Sequence, residues 1–270
     1  MSTSNETRAQ ELASLWTRLR FEAREAANEE PALASYLDAA ILSHDRFSCA
    51  LAYHMAEKLS GKRLNALQIR EIVHQAHGAD PSIVVAAERD MLAVLTRDPA
   101  CRQLLQPFLF FKGYVALQTH RIAHWLWQQG RETLAYHFQS RTSELFQVDI
   151  HPATRIGAGV MFDHATGITI GETAEIGDDC SILQGVTLGG TGKEVGDRHP
   201  KIGNGVLVSV GAKVLGNITI GDRAKIAAGS VVLKPVESLC TVAGVPAKPV
   251  GGPCAEAARN MDQTIPDDVD

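Results

Sequence analysis

Between residues 150 and 236 the chain can be read in sixes, and nothing else in it restricts the fold as strongly. The frame opens at Ile150, Ile156 and Phe162. It resumes at Ile170, Ile176, Ile182 and Leu188, and again at Ile202, Val208, Val214, Ile220, Ile226 and Val232. All thirteen openers are Ile, Leu, Val or Phe, and the residue four places on is always small or β-branched. Six of the thirteen second positions are Gly, which suits a tight corner. Such a hexapeptide repeat predicts a parallel β-helix of short strands, with opener and small partner both facing inward. One turn cannot bury its own apolar face, so stability has to come from stacked neighbours.

The frame fails twice. Two residues, Ile168 and Thr169, stand between the third hexapeptide and the next opener. Eight more, Glu194 to Lys201, follow Leu188-Gly-Gly-Thr-Gly-Lys193. Residues beyond the count have to leave the wall, and in solenoids such insertions often form a binding face. Small partners are expected to point inward throughout, Thr166 and Gly192 beside the breaks included.

Residues 1–148 have a different period. Leu12, Leu15, Trp16, Leu19 and Ala23 recur at helical spacing, and Pro31 suits the first turn of a following helix. Further amphipathic runs reach Leu59, Ala76, Thr96, Gln129 and Phe146. Asp80-Pro81-Ser82 is a start signal, and Asp98 reads as a helix cap. At Val148-Asp149-Ile150 helix gives way to hexapeptide without a linker. The expected organisation is a helical domain (1–148) capping the first coil, a β-helix domain (149–250) and a mobile acidic tail (251–270).

The net charge of -5, with no basic stripe, argues against nucleic acid. Cys49, Cys101, Cys180, Cys240 and Cys254 are odd in number and far apart, as expected of reduced thiols in a cytoplasmic protein. No signal peptide opens the chain and no apolar run is long enough to span a bilayer, so no membrane is expected.

Polar side chains suited to chemistry gather at the breaks: Asp163 and His164 at the first, Asp197, Arg198 and His199 at the second, with Asp149 just before the first opener. With no Ser or Cys nucleophile beside it, a His–Asp pair suggests a general base acting on an external nucleophile. The carboxylate would fix one imidazole tautomer and stabilise the imidazolium. Arg198 offers a planar fork for a substrate carboxylate. The plainer reading of each residue is a solvated corner or cap. His120 and His124 lie four apart on a helix, a metal-ligand spacing. They lack the Glu that a helical zinc-protease motif carries, and read as a solvated face.

The strings Thr96-Arg-Asp-Pro-Ala100, Phe146-Gln-Val-Asp-Ile-His-Pro152, Asp163-His-Ala-Thr-Gly167, Gly171-Glu-Thr173, Val186-Thr-Leu-Gly-Gly-Thr-Gly-Lys193, Asp197-Arg-His-Pro-Lys-Ile202 and Ala243-Gly-Val-Pro-Ala247 resemble those of bacterial serine O-acetyltransferases. The resemblance covers nearly the whole chain. It implies an α+β fold in which an all-helical domain precedes a left-handed parallel β-helix with one protruding loop. It implies transfer of acetyl from acetyl-CoA to the L-serine hydroxyl, the opening step of cysteine synthesis, without a metal. By the same resemblance His164 is the base and Asp149 its orienting partner. Asp98 and Asp163 would bind the serine ammonium, and Arg198 and His199 its carboxylate. Coenzyme A would lie along Gly190, Thr191, Val210, Gly211 and Ala228, with Lys248 near the nucleotide; Val210 stands where the family usually has Ala. Trimers with sites between subunits, paired into a hexamer through the helical domains, are implied too, as is feedback inhibition by L-cysteine. The family's complex with O-acetylserine sulfhydrylase uses a terminal Ile; this chain ends in Val269-Asp270, which argues against that complex.

Two other readings compete. A γ-type carbonic anhydrase would need His151, His164 and His199 to converge on zinc. A non-catalytic scaffold for a partner enzyme would have no use for Asp149 and His164.

Overall fold

A computed structural model describes residues 2–192, 195–254 and 256–265, with side chains described from residue 15. Eight helices come first: α1 (Ser2–Glu29), α2 (Ala34–Leu37), α3 (Phe47–Leu59), α4 (Ala66–Ala79), α5 (Ser82–Arg97), α6 (Leu105–Leu109), α7 (Lys112–Gln128) and α8 (Glu132–Phe146). Their starts follow local chemistry. Asn65 caps α4 through a reciprocal pair with Gln68, satisfying two backbone donors at once. Pro81 precedes α5, and the Asp80 carboxylate accepts from Ser82 N at 3.0 Å. α6 has no counterpart among the amphipathic runs expected from the sequence; it is only five residues long.

Strand pairing confirms the count of six. Ile150, Ile170, Leu188, Val214 and Val232 stack on one face of a parallel solenoid. Ile156, Ile176, Ile202 and Ile220 stack on a second, and Phe162, Ile182, Val208, Ile226 and Val242 on a third. Partners are 18 residues apart in a plain coil, 20 across the first break and 26 across the second, so the breaks add two and eight residues. Thr154, Val160, Ala174, Cys180, Val186, Val206, Ala212, Ala224 and Ser230 fill the interior behind the openers. Burial pushes the Cys180 thiol up to about 12. All five cysteines are free.

Two expectations at the breaks are corrected. Ile168 and Thr169 do not leave the wall: Ile168 is buried and pairs with Val148, and Thr169 pairs with Asp149. Ile168 takes the inward slot assigned to Thr166, which is exposed. Gly167, stacked on Gly185, closes the corner, so the extra residues lie between Asp163 and Gly167. At the second break Gly192 is exposed and buried Pro200 takes its slot; the Pro200 carbonyl receives Glu175 N as the Ala174 carbonyl receives Arg155 N. In both cases the apolar residue next to the resuming strand wins the interior.

The helical half docks on the first coils through buried charge. Asp90 of α5 is fully buried and accepts from Arg121 Nε (3.0 Å) and Nη2 (2.7 Å), Gln118 Nε2 (3.0 Å) and Val160 N (2.9 Å). Arg121 donates onward to the Ile156 and Gly157 carbonyls at 3.2 and 2.6 Å. His120 and His124 are part of the same joint. His120 is buried with Nε2 on the Thr154 carbonyl, and half-buried His124 holds the Pro152 carbonyl through Nδ1. The solvated face expected for this pair is wrong, because α7 lies against the coil along that side.

Beside α5 a short helix, α9 (Ala257–Asn260), packs its two alanines on Leu183 and Leu207. Lys225 reaches the Thr264 carbonyl at 2.6 Å and Asp262 at 3.3 Å. Val269 and Asp270 lie outside the described residues. Among the described residues, no helix is long and apolar enough to cross a membrane.

Candidate active site

The first break makes a turn of unusual backbone. His164 and Ala165 both have positive φ, 53° and 61°, before Gly167 at 78°. Ala165 N donates to the Asp163 carbonyl (2.5 Å) and Thr166 N to the His164 carbonyl (2.8 Å), giving two successive three-residue turns. Two adjacent non-Gly residues in the left-handed region cost on the order of 1–3 kcal/mol each and persist only where the surroundings hold them. The result is a His164 side chain 74% exposed at the corner of the solenoid.

Around it lie carboxylates. His164 Nε2 is 3.8 Å from Asp163 Oδ1. Asp163 is half-buried, and that burial raises its pKa; His164 pulls it down and Asp98 pushes it up further. Asp98 caps the C-terminus of α5, with one carboxylate oxygen on Ala100 N at 2.8 Å. The preceding Arg97 is buried and donates to the Cys180 carbonyl (3.0 Å) and Ser181 Oγ (3.1 Å). The helical half thereby delivers Asp98 to the corner that holds Asp163 and His164. Asp149 accepts from Gln139 Nε2 at 2.6 Å rather than from His164. It stands two residues past Gln147, whose carbonyl receives Gly167 N at 2.8 Å.

From His164 a column of corner glycines runs along the solenoid: Gly167, Gly185, Gly211 and Gly229, each with φ between 68° and 78°. A Cβ on Gly167 would sit 3.6 Å from the Gly185 Cα, and one on Gly185 3.4 Å from the Gly211 Cα. Val210 and Ala228 flank this column, and Val210 touches the cluster under α9. Lys248 is exposed on a hairpin opposite Ala243.

Arg198 and His199 lie elsewhere. They end the long loop at the corner where the first face passes into the second, whereas His164 sits where the third face passes into the first. Arg198 Nη2 pairs with Glu172 at 2.7 Å, a bond that lowers the Glu172 pKa. Thr173 Oγ1 accepts from Arg198 N and His199 N and meets His199 Nδ1 at 2.9 Å. Burial, then Arg198, depresses the His199 pKa. Gly190 and Thr191 open the same loop, and Thr191 lies against Gly216. His151 belongs to this edge too, bonded to Tyr136 Oη at 3.2 Å. One chain therefore carries two polar clusters on opposite edges of one face.

Comparison with known proteins decides the family. Residues 15–119 match the serine acetyltransferase N-terminal family, and residues 199–234 match the bacterial transferase hexapeptide family (six repeats). The serine acetyltransferase of Escherichia coli (strain K12) is 53% identical over 255 residues, covering 94% of this chain and 93% of that one. The chain belongs to the serine acetyltransferase family. It is accordingly an acyltransferase. A solved serine acetyltransferase in complex with cysteine matches with a TM-score of 0.93 at 50% identity, over 94% of this chain and 99% of that one. That of Brucella abortus strain S19 in complex with coenzyme A gives 0.88 at 49%, over 90% and 96%. That of Neisseria gonorrhoeae in complex with serine gives 0.85 at 52%, over 87% and 97%.

Within this serine acetyltransferase fold, sequence reasoning missed the residues that hold the site together. Glu172 and Thr173 carry Arg198 and His199, and Gln139 holds Asp149. The signal for the first two was present: register places the corner after Ile170 beside the end of the inserted loop. Gln139 left none, since it lies on an ordinary helix face.

Proposed function

We propose that this chain transfers the acetyl group of acetyl-CoA to the side-chain oxygen of L-serine, giving O-acetyl-L-serine and coenzyme A, as the first step of cysteine synthesis from serine. The observation that carries the reading is the exposed imidazole of His164, raised beside Asp163 and Asp98 at the head of the glycine column. The column is a smooth ledge for a pantetheine arm, with Val210, Gly211, Ala228 and Lys248 as its contacts on one subunit and Gly190 and Thr191 supplied from the facing edge of the next. The two carboxylates hold the serine ammonium, and Arg198 and His199 its carboxylate.

In the reaction the serine oxygen attacks the thioester carbon as a ring nitrogen of His164 takes its proton. Asp149 supports the imidazolium. The tetrahedral oxyanion collapses, the carbon–sulfur bond breaks, and the thiolate leaves with the proton that His164 returns. Water is excluded as acceptor by filling the site with serine.

Arg198 and His199 sit across a face from His164, so we assign each complete site to two neighbouring subunits of a trimer, two trimers forming a hexamer. The helical domain (1–148) supplies Asp98 and the hexamer contact, the β-helix (149–250) the rest. L-cysteine, sharing the ammonium and carboxylate of serine but presenting a thiol, inhibits by taking the serine site.

The deciding experiment is release of coenzyme A thiol with a panel of hydroxyl acceptors, serine and homoserine first. Serine should be the strong acceptor, and His164→Ala should remove turnover with the assembly intact. Unchanged turnover in that variant would rule out His164 as the base.

A further inference from the structure

We infer that Lys112 and Gly113, at the first turn of α7, are positioning residues for the His164 base: the helical half of the chain holds the catalytic turn in its left-handed form. The inference rests on the reading of His164 as the base.

A turn with two consecutive left-handed non-Gly residues has to be over-determined by its surroundings. Its own hydrogen bonds, from Ala165 N and Thr166 N, are the short-range contacts of three-residue turns and do not hold it alone. Gly167 N on the Gln147 carbonyl and Ile168 N on the Ala165 carbonyl fix where the turn ends. What fixes its middle comes from α7. Gly113 is buried against the wall, where a Cβ would lie 2.2 Å from the Phe162 carbonyl oxygen and 3.1 Å from the Ala165 Cβ. The first of those contacts is with backbone and cannot be relieved by a side-chain rotation. Only glycine lets the helix come close enough to trap Ala165, which is fully buried. One residue earlier, Lys112 Nζ donates to Thr166 Oγ1 at 2.5 Å, pinning the far limb of the turn. His164 directly precedes the two contacts, with its side chain exposed beside Asp163. Pressed at Ala165 and tied at Thr166, the backbone keeps the imidazole raised above the wall.

The claim separates from mere structural support by its kinetic signature. Misplacing a base by a fraction of an ångström lowers kcat and leaves coenzyme binding alone. Thr166→Val and Lys112→Met should each lower kcat about tenfold with the KM for acetyl-CoA within about twofold of wild type. The double variant should be no slower than the worse single one, since both remove the same bond. Thr166→Ser, which keeps the hydroxyl, should restore kcat. Gly113→Ala should be slower still; if it does not fold, the Lys112 and Thr166 series decides the matter alone. His164→Ala is run beside them. If it is inactive while Thr166→Val and Lys112→Met keep kcat within about twofold, the inference fails and the base assignment stands. Multiplicative losses in the double variant, or an equal rise in the KM for acetyl-CoA, also overturn the inference. Full turnover in His164→Ala overturns the base assignment beneath it.

Discussion

At the scale of single residues, the acidic corner sets a testable pH response. Asp163 is held above the ordinary carboxylate range, first by burial and then by Asp98, against the pull of His164. A carboxyl with a raised pKa takes up its proton earlier as pH falls, and a neutral Asp163 has no charge to offer an ammonium group. The KM for serine should therefore climb on acidification before it reaches pH ~4, where an ordinary Asp titrates. The KM for acetyl-CoA should stay flat. In Asp98→Asn the charge that raises Asp163 is gone, so Asp163 titrates at a lower pH and the climb moves down with it. The KM for serine should already be higher at neutral pH by about tenfold or more, the worth of a charged hydrogen bond. Initial rates between pH 5 and 8 at saturating acetyl-CoA test both statements. An identical pH response in the two proteins would mean that Asp98 is only the cap of α5.

At the scale of elements, α5 and α7 carry more of the site than their sequence announces. The Asp90–Arg121 pair joins them to the first coil, Asp90 accepting from Val160 N and Arg121 donating to the Ile156 and Gly157 carbonyls. Breaking a buried pair by removing one partner leaves an uncompensated charge and costs about 3–5 kcal/mol. Arg121→Ala should lose that much in denaturant unfolding followed by helical circular dichroism. Asp90→Leu with Arg121→Met should lose much less. A surface-like loss below about 1 kcal/mol in Arg121→Ala would show that the joint is not held by this pair. Nothing in the sequence distinguished Asp90 or Arg121 from the charges on any amphipathic helix. The period of six, by contrast, located the inward openers from Ile150 to Val232, because each coil repeats the same steric demand; Val242, stacked on Ile226, lay beyond the frame. The frame went astray beside the breaks, where Ile168 and Pro200 displaced Thr166 and Gly192 from the interior, and at its end, where Val236 bridges Ile220 instead of standing behind Val232. Counting fixes how many residues are extra; which of them leave depends on which side chain gains most from burial. The extra residues turned out to include His164, so the break and the candidate base coincide more closely than the count implied. Glu172, Thr173, Lys112 and Gly113 emerge only when coils and helices are brought together in space.

At the scale of the whole molecule, the arrangement of one face has the widest consequence. His164, Asp163 and Asp98 occupy one of its edges, and Arg198, His199, Glu172 and Thr173 the other. The strands between them are three residues long, roughly 10 Å at the rise of an extended chain. A serine molecule is too small to bridge that width with its ammonium and carboxylate. Rotation about a threefold axis brings the leading edge of one copy to the trailing edge of the next, a head-to-tail contact that closes into a ring. In the proposed trimer each site would take its base from one subunit and its guanidinium from another. His164→Ala and Arg198→Ala proteins should each be inactive alone. Co-expressed at equal levels they should recover about a quarter of wild-type turnover, since random assembly leaves about one interface in four with both functional edges. The KM for serine of the recovered activity should equal that of the wild type. Mixed trimers, purified by two different affinity tags, that show no recovery would place base and guanidinium in the same chain, with the long loop folding back across its own face.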